Sequence, residues 1–236
     1  MATKCLAVIP CRGGSKGVPR KNILDLGGLP LVVHSIKAAQ ESKFITRAIV
    51  STDDEEISEV AKKYGGDVPF ARPANLATDT ARSVDVCVHV LNECIRAGED
   101  YDYFVLLQPT TPLRSAKDID ATIQLLVDNP DYDCAITVKA VGPSHPNYLY
   151  IQANKANEMK PYISGNVEEK RRQEFEDVFV RNGAVYVVRS DFLLKQKALI
   201  AEKVMTHIMS EESSVNIDNE FDLYLARQIY AHYYQE

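Results

Sequence analysis

Short apolar runs alternate with amphipathic segments along most of this chain, and the alternation limits the folds open to it. The apolar runs predict strands, which lie at residues 4–10, 48–51, 68–71, 103–107, 134–138, 184–188, 203–209 and 214–218. The segments with helical periodicity predict helices, which lie at residues 30–41, 55–64, 84–96, 116–128 and 220–234. Strands that alternate with helices form a mostly parallel sheet covered by helices on both faces, so a three-layer α/β fold is predicted.

Residues 141–181 depart from this alternation. The segment is polar, carries three prolines and three tyrosines, and includes the charged run at residues 168–172. We interpret it as an insertion that forms an arm, a lid or a dimerisation element, and the alternative is a solvated surface excursion. Because no repeat or flexible linker divides the rest of the chain, we predict a single domain covering residues 1–236.

Charge and composition exclude several classes of function. The net charge of −6 and the pI near 5.5 disfavour general binding of nucleic acid. No apolar run approaches the roughly 20 residues of a membrane span, and the N-terminus lacks the layout of a signal peptide. The five cysteines form no Cys-x-x-Cys pair, and four of them, Cys5, Cys87, Cys94 and Cys134, lie in apolar surroundings and are interpreted as buried reduced thiols. A cytoplasmic location is therefore expected.

The loop at residues 9–22, directly after the first predicted strand, concentrates positive charge in this acidic chain. Its glycines and cations are Arg12, Gly13, Gly14, Lys16, Gly17, Arg20 and Lys21. Glycines let the backbone approach a ligand closely, and clustered cations repel each other unless an anion lies among them, so a polyphosphate site is predicted. The alternative is a plain tight turn. Neither the dinucleotide pattern G-x-G-x-x-G nor the P-loop pattern G-x-x-x-x-G-K-[ST] is present.

Four motifs in order along the chain resemble those of a known family. They are Arg12-x-x-Ser15-Lys16-Gly17-x-Pro19-x-Lys21-Asn22, Arg72-Pro73-x-x-Leu76-Ala77-x-Asp79-Thr80-Ala81-x-Ser83, Leu107-Gln108-Pro109-Thr110-Thr111-Pro112-Leu113-Arg114, and Asn182-Gly183-Ala184-Val185-Tyr186 with Ile217-Asp218-Asn219-Glu220-x-Asp222. Together they are similar to the acylneuraminate cytidylyltransferase family, which comprises CMP-sialic acid synthetases and their legionaminic and pseudaminic acid relatives. The resemblance implies a nucleotide-diphospho-sugar transferase-like (Rossmann-like) fold with an inserted dimerisation arm, and hence a homodimer.

The resemblance also implies a reaction between CTP and an acidic sugar. The anomeric hydroxyl of a nonulosonic 2-keto sugar acid attacks the α-phosphorus of CTP and gives a CMP-sugar and pyrophosphate. At the matching positions, the residues implied to bind CTP are Arg12, Gly13, Gly14, Ser15, Lys16, Lys21, Asn22, Arg72 and Ser83. Of these, Arg12, Lys16 and Lys21 are also implied to act in catalysis, because the charge on transferring phosphates must be neutralised. The residues alone leave open a surface salt bridge for Arg72 and a helix N-cap for Ser83.

Asp218 is the candidate metal ligand, and through the metal a candidate catalytic residue. Mg²⁺ needs few protein carboxylates, since it keeps waters and phosphate oxygens. Relatives often have Asp-x-Asp where this chain has Asn216-Ile217-Asp218, so Asn216 is a second candidate ligand through its carbonyl. The alternative for Asp218 is a cap for the last helix.

The acceptor is expected to lie beside the central strand and the insertion. Gln108 matches a position that contacts the sugar acid, Arg172 matches an arginine that reaches the sugar carboxylate from a neighbouring subunit, and Asn182 closes the insertion and is expected to face the same pocket. Some sialic acid relatives have a lysine early in the insertion where this chain has Tyr148, so the sugar is not identified.

Three other functions compete with this interpretation. A nucleotidyltransferase acting on a sugar phosphate shares a glycine-rich basic loop, and a non-catalytic cytidine-nucleotide sensor keeps the loop without the metal site. A dehydrogenase is disfavoured because the dinucleotide fingerprint is absent.

Overall fold

A six-stranded sheet passes through the middle of the molecule. A computed structural model describes residues 3–14, 17–153, 158–163 and 174–234. Its strands are β1 Cys5–Pro10, β2 Asp25–Leu26, β3 Leu29–Pro30, β4 Ile45–Ser51, β5 Tyr103–Leu106, β6 Cys134–Ala140, β7 Tyr150–Gln152, β8 Met159–Pro161, β9 Phe179–Arg189 and β10 Met205–Ile208. Its helices are α1 Leu31–Glu41, α2 Glu55–Lys63, α3 Ser83–Arg96, α4 Ala116–Asp128, α5 Ser190–Gln196 and α6 Glu220–Tyr233.

The strand order confirms the mostly parallel sheet. The order is β10-β6-β9-β5-β1-β4, with β1 parallel to β4 and β5, and β6 parallel to β10. Among the described strands of this sheet, β9 alone runs against its neighbours, β5 and β6. β1, β4, β5, β6 and β10 therefore point the same way, and the carboxyl ends of these five strands lie at one edge.

Alternating residues of β1 separate the core into two layers. Ala7 and Ile9 pack with the apolar faces of α1, α2 and α4, whereas Leu6 and Val8 pack with α3 and α5 on the other side of the sheet. Successive side chains of a strand point to opposite faces, so an entirely apolar strand is one that is buried on both. The predicted three-layer arrangement is thereby confirmed.

Two predicted strands are wrong. Residues 68–71 form no strand, and the neighbouring Asp67 makes only an isolated parallel bridge to Ile49. Residues 214–218 also form no strand, although Val215 and Ile217 are buried against α6. The Ile217 N–H donates to the Thr110 carbonyl at 2.7 Å, so this segment is fixed in an extended form outside the sheet. The apolar residues of this segment alternate because every second side chain is buried, but the backbone does not form the hydrogen-bond ladder of a strand.

Other elements escaped the sequence pattern because they are short. The β2–β3 hairpin and helix α5 fall into this class, since each spans too few residues to show a period. No helix within the described residues has both the length and the apolar character needed to cross a lipid bilayer.

The insertion leaves the sheet at the end of β6 and returns to it at the start of β9. Its described residues form a small antiparallel hairpin, β7–β8, and the ring of His145 stacks on Phe175 with centroids 5.0 Å apart. Several large apolar residues of the insertion are exposed, namely Tyr148, Leu149, Tyr150, Ile151, Met159, Tyr162 and Ile163. We call this set the arm patch.

Candidate active site at the carboxyl edge of the sheet

A cavity of about 590 Å³ opens beyond the carboxyl ends of the parallel strands. Pro10 at the end of β1 pairs in register with Ser51 at the end of β4, so the loops after both strands start side by side. The predicted site residues that line this cavity are Arg12, Lys21, Asn22, Arg72, Ser83, Gln108, Asn216 and Asp218. The structure therefore brings together residues from all four sequence motifs. We call this space the nucleotide cavity.

The glycine-rich loop is held by carboxylates and by its own backbone. Arg12 Nη1 donates to Asp79 Oδ1 at 2.7 Å, and the Gly13 N–H donates to Asp53 Oδ1 at 3.1 Å. The buried amide of Asn22 donates through Nδ2 to the Arg12 carbonyl at 3.0 Å. Asn22 thus fixes the backbone that presents the Arg12 guanidinium at the cavity wall.

The expectation that all four loop cations crowd around one anion is wrong for Arg20. Its guanidinium contacts Asp54, at 2.5 Å, and Glu56 at the start of α2, and Arg20 does not line the nucleotide cavity. The Arg20 guanidinium holds the pKa of Asp54 below its ordinary value. Asp54 in turn caps α2 by accepting from the Ile57 N–H at 3.0 Å.

Lys21 and Asp218 come from opposite ends of the chain and meet at the cavity wall. Lys21 Nζ donates to the Ile217 carbonyl at 2.7 Å and lies 3.8 Å from Asp218 Oδ1. Burial lowers the pKa of Lys21, and the neighbouring Asp218 carboxylate opposes that shift. Gly17 lies so close to the Asp218 carbonyl oxygen that any Cβ at position 17 would overlap it. The loop and the segment before α6 are therefore closely packed together.

Asp218 is not the cap of α6. Asn219 accepts from the Asp222 N–H at 3.0 Å, and Asp222 accepts from the Asn219 N–H, so these two residues form the capping box. The Asp218 carboxylate is left facing the cavity with its side chain 69% exposed. The Asn216 amide donates to it at 2.5 Å.

A single carboxylate with adjacent space suits Mg²⁺, which fills its remaining positions with waters and phosphate oxygens. Within the described residues no group of three or more His, Cys, Asp or Glu side chains forms a closed metal site. The Asn216 carbonyl oxygen, the predicted second metal ligand, accepts a hydrogen bond from Thr111 Oγ1 at 3.3 Å. The Asn216 side-chain NH₂ group points to Asp218 and orients its carboxylate in this structure. The donor set therefore fits a metal that is held mainly by phosphate.

Arg72 and Ser83 line the cavity from the side of β4. Arg72 is buried rather than part of a surface salt bridge: Nε donates to Ser51 Oγ at 3.1 Å and Nη2 donates to the Ser51 carbonyl. Burial lowers the pKa of the Arg72 guanidinium. Ser83 is the first residue of α3, and the preceding Arg82 occupies the N-cap position without a side-chain cap bond, so the N-cap interpretation of Ser83 is wrong.

A buried arginine that sequence reasoning did not single out fixes the position of Gln108. Arg114 donates through Nε to the Ala184 carbonyl at 2.8 Å, through Nη1 to Ser35 Oγ at 2.8 Å and through Nη2 to the Gln108 carbonyl. Burial lowers the pKa of its guanidinium. Arg114 closes the motif that starts at Leu107, so its position in that motif was the available signal.

A second cavity of about 360 Å³ shares Ser83 and Gln108 with the first. Its other lining residues are Leu106, Arg181, Tyr186, Ala198, Leu199 and Ile200. We call this space the side cavity. The sequence analysis assigns no role to Arg181 or to residues 198–200, because none of them lies within one of the four motifs.

Not every predicted site residue reaches the cavities. Asn182 lines neither, because its amide is buried and bonded to Thr137, Ser214, Met209 and the Ala184 N–H. Gly13 and Gly14 do not line the nucleotide cavity either. The remaining predicted residues, Ser15, Lys16 and Arg172, lie outside the described residues.

Sequence comparison places the chain among known enzymes. The family model described as cytidylyltransferase matches residues 6–233. The chain belongs to the cytidylyltransferase family. A cytidylyltransferase is a nucleotidyltransferase, so this chain is an enzyme of that class.

Similar proteins come from several bacteria. The post-translational flagellin modification protein B of Campylobacter coli is 32% identical over 93% of this chain and 92% of its own length. The CMP-N,N'-diacetyllegionaminic acid synthase of Legionella pneumophila is 29% identical over 96% of each chain. The N-acylneuraminate cytidylyltransferase of Escherichia coli is 32% identical over 96% of this chain, which spans about half, 52%, of that relative's length.

Solved structures share the cytidylyltransferase fold. A CMP:2-keto-3-deoxy-manno-octonic acid synthetase complexed with CTP superposes with a TM-score of 0.72 at 20% identity, covering 98% of this chain and 99% of that one. A 4-diphosphocytidyl-2C-methyl-D-erythritol synthase from Anaerococcus prevotii superposes with a TM-score of 0.61 at 13% identity, covering 97% and 98%. The predicted nucleotide-diphospho-sugar transferase-like fold is confirmed.

Proposed function

We propose that this chain transfers CMP from CTP to the anomeric hydroxyl of a nonulosonic 2-keto sugar acid and releases pyrophosphate. The observation that carries the proposal is the meeting of Lys21 with Asp218 at the wall of a cavity that also contains Arg12. A cation for phosphate and a carboxylate for a divalent metal are what a nucleoside triphosphate with its metal requires. The names of the relatives, which concern sialic, legionaminic and pseudaminic acids, support the choice of acceptor.

Arg12 and Lys21 would hold the triphosphate, together with Lys16 and Ser15. Gly13 and Gly14 do not line the nucleotide cavity, so a contact between their backbone and phosphate remains a prediction. In the transfer, the acceptor oxygen forms a bond to the α-phosphorus, the bond from that phosphorus to the pyrophosphate oxygen breaks, and the proton of the acceptor hydroxyl is lost to water. Negative charge builds on the leaving pyrophosphate and on the oxygens around phosphorus. Fixed cations stabilise that charge without reorganising, which makes positioning and electrostatics the main sources of rate.

Asp218 would hold Mg²⁺, and Asn216 would orient Asp218 through its amide. When bound, the metal supplies positive charge that offsets the charge of the phosphates. Since this site has one carboxylate where relatives often have two, we expect the metal to bind weakly until CTP brings its own oxygens. Asn216→Asp is the matching variant, and it should lower the Mg²⁺ concentration that gives half-maximal rate.

Asn22, Arg72 and Ser83 would face the base and the ribose. Arg72 is buried and fixed by Ser51, so its guanidinium is a rigid donor close to the end of β4. Cytosine offers acceptors at O2 and N3, which a rigid donor suits. A uracil ring has a donor at N3, so it would meet this guanidinium with like polarity.

Gln108 would contact the acceptor, because it lines both the nucleotide cavity and the side cavity. Arg172 remains a prediction as a ligand of the sugar carboxylate from a neighbouring subunit. The side chain of Asn182 supports the β9 backbone instead, and we assign it no acceptor contact.

The test of the reaction is a pyrophosphate-release assay with N-acetylneuraminic and diacetyllegionaminic acids as acceptors. Wild-type protein should use CTP and leave UTP, GTP and ATP almost untouched. Lys21→Met and Asp218→Asn should each lower kcat/KM by about 100-fold or more, since each removes charge that acts on the phosphates. Lys62→Met and Asp100→Asn change exposed residues outside the cavity and serve as controls. Turnover without preference for CTP would refute the proposal.

A homodimer would cover the arm patch. Tyr150 and Tyr162 are 62% and 60% exposed, and neighbouring aromatic and aliphatic residues extend the same apolar surface. Light scattering should give about twice the 26.4 kDa mass of the chain. Tyr150→Ser with Tyr162→Ser should shift the mass towards one chain, whereas Tyr233→Ser on α6, 59% exposed, should not. A monomeric wild type would refute the dimer.

The location we propose is the cytoplasm. All five cysteines are free and buried, which fits a reducing compartment. Fractionation of the native host should recover the activity with cytoplasmic markers, and recovery with secreted markers would contradict this.

A further inference from the structure

Two neighbouring acidic residues at the start of α2 hold the glycine-rich loop at two separate points. The Asp53 carboxylate accepts from the Gly13 N–H at 3.1 Å. The Asp54 carboxylate accepts from the Arg20 guanidinium through both oxygens, at 2.5 and 3.3 Å. Gly13 and Arg20 are seven positions apart in the sequence, so adjacent carboxylates of another element fix the distance between them. We call Gly13, Arg20, Asp53 and Asp54 the clasp.

Each loop residue of the clasp is the direct neighbour of a cation in the nucleotide cavity. Gly13 follows Arg12 in the sequence, and Arg20 precedes Lys21. Arg12 and Lys21 line the cavity, whereas the four clasp residues do not. The two cations that face the cavity are therefore each one residue away from a contact made outside it.

The backbone conformation of Arg20 depends on its surroundings. Its φ of +56° and ψ of 25° lie in the left-handed region, which residues other than glycine adopt rarely and keep only where neighbouring groups hold them. The Arg20 carbonyl accepts from the Ile23 N–H at 3.0 Å and starts the turn that contains Lys21 and Asn22. A change of φ at Arg20 would therefore redirect Lys21.

The Asp54 side chain is fixed between the loop and α2. A Cβ at Gly13 would lie 2.6 Å from Asp54 Oδ2, which is closer than real Cβ atoms approach another atom. On its other side, Asp54 Oδ1 accepts from the Ile57 N–H at 3.0 Å and caps α2. Ile57 is buried in the core layer that contains α1 and α4. The clasp thus connects the loop to a helix that is packed against the core.

The charge of Arg20 is already paired within the protein. Its guanidinium contacts the carboxylates of Asp54 and Glu56, and neither of these residues lines the nucleotide cavity. A cation paired with two carboxylates adds little to the attraction of a third anion. An effect of Arg20 on the triphosphate therefore has to act through the position of Lys21.

We propose that Arg20 and Asp54 are positioning residues of CMP transfer, which keep Arg12 and Lys21 at the separation that the triphosphate requires. This inference rests on the proposed function, since it concerns how the same cavity holds its phosphate-binding cations. The alternative is that Arg20 and Asp54 act on CTP only through their charges, and the two explanations predict opposite effects of Asp54→Asn.

The first experiment measures binding of CTP with Mg²⁺ to wild type and Asp54→Asn by calorimetry. Asparagine can still cap α2, but it has no charge to pair with Arg20. Through charge alone, removal of a negative group near the triphosphate would tighten CTP binding. The clasp predicts the reverse, a rise in the Kd for CTP of about 10- to 100-fold, as for loss of one charged hydrogen bond. The Kd for cytidine, which has no phosphate, should not change.

The second experiment tests whether Arg20 and Asp54 act as one unit. Arg20→Met should raise the Kd for CTP as much as Asp54→Asn does. The double variant should lose no more than either single variant, because all three lack the same contact. Arg20→Lys keeps a charge that can pair with Asp54 and should recover part of the affinity.

Arg47→Met is the matched control for loss of an ion pair. Arg47 also pairs with two carboxylates, Asp67 and Glu99, each at 2.8 Å, and it lies outside both cavities. Its Kd for CTP should equal that of wild type, even if its melting temperature falls. Thermal unfolding shows which variants are folded at the assay temperature, and Asp54→Asn, which keeps a capping residue, decides the question if Arg20→Met is unfolded.

The outcomes separate the inference from the proposed function. A wild type that binds no CTP refutes both. If wild type binds CTP, an unchanged or lower Kd in Asp54→Asn overturns this inference and leaves the proposed function intact. Additive losses in the double variant also overturn it, since Arg20 and Asp54 would then act independently. An equal loss in Arg47→Met overturns it as well, because reduced stability alone would explain the effect.

Discussion

Gly17→Ala tests whether close packing of the loop against Asp218 is needed for catalysis. The new Cβ would overlap the Asp218 carbonyl oxygen, and real Cβ contacts under 3.0 Å are essentially never made. The loop and the segment before α6 must therefore separate by about 1 Å, a displacement that can cost roughly 100-fold in rate when it misplaces reacting groups. A 100-fold loss corresponds to about 2.7 kcal/mol of transition-state stabilisation.

The assay is steady-state CMP transfer at saturating CTP, with the rate followed as Mg²⁺ is varied. We expect Gly17→Ala to lower kcat by about 100-fold and to require more Mg²⁺, because Asp218 moves relative to Lys21. Its melting temperature should stay close to that of wild type, since position 17 is exposed.

Gly14→Ala is the steric control in the same loop. A Cβ at Gly14 meets nothing within 4 Å, and alanine keeps the backbone N–H that phosphate would contact. Its loss of rate should be far smaller than that of Gly17→Ala. Equal rates for wild type and Gly17→Ala would refute the reasoning, because the contact with Asp218 would then be dispensable.

Three further predictions concern charge and stability. Burial lowers the pKa of Lys21 from its ordinary 10.5, so Lys21 loses its positive charge, and the KM for CTP should rise, as pH increases through that lowered pKa. Lys21→Arg, which stays charged, should remove this rise from a pH profile of KM. Arg114→Lys should reduce the free energy of unfolding in urea by about 2–5 kcal/mol, because lysine cannot make all three buried hydrogen bonds. The control is Arg96→Lys at an exposed position, and an equally small change for Arg114→Lys would contradict the prediction. The Asp54 carboxyl has a lowered pKa, so its pairing with Arg20 stabilises the fold above pH 3.8, and this stabilisation is lost as pH falls through the lowered pKa. In urea unfolding, Arg20→Met should therefore have a lower free energy of unfolding than wild type at pH 7 and the same free energy of unfolding in strong acid.

The layers of the fold could be predicted from the sequence, because a strand that is buried on both faces of a sheet is a continuous run of apolar residues. The run at Tyr103–Leu106 is buried throughout, and its apolar residues alone predicted a strand there. Helix α4 was predicted from its periodicity with its observed bounds, and in the structure a capping box of Ser115 and Asp118 starts it. Patterns of this kind arise within a few neighbouring residues.

Strand direction and pairing were not readable in the same way. β9 reads as apolar whether it runs with its neighbours or against them, so its antiparallel orientation had no local signal. Val215 and Ile217 alternate like strand residues but are buried against α6 without a ladder. Periodicity records which side chains are buried, and it does not record what covers them.

The glycine-rich loop and the residues matching it were determined by the sequence, because a phosphate site needs particular residue types at short spacing. Tertiary structure alone decided that Lys21 lies beside Asp218 and that Arg20 pairs with Asp54. It also decided that the buried Asn182 side chain makes its hydrogen bonds within the protein, for example with Thr137. It also decided that Arg181 and the aliphatic residues after α5 share one cavity with Gln108. These contacts join residues far apart along the chain, and only the packing of the sheet and helices sets the distances between them.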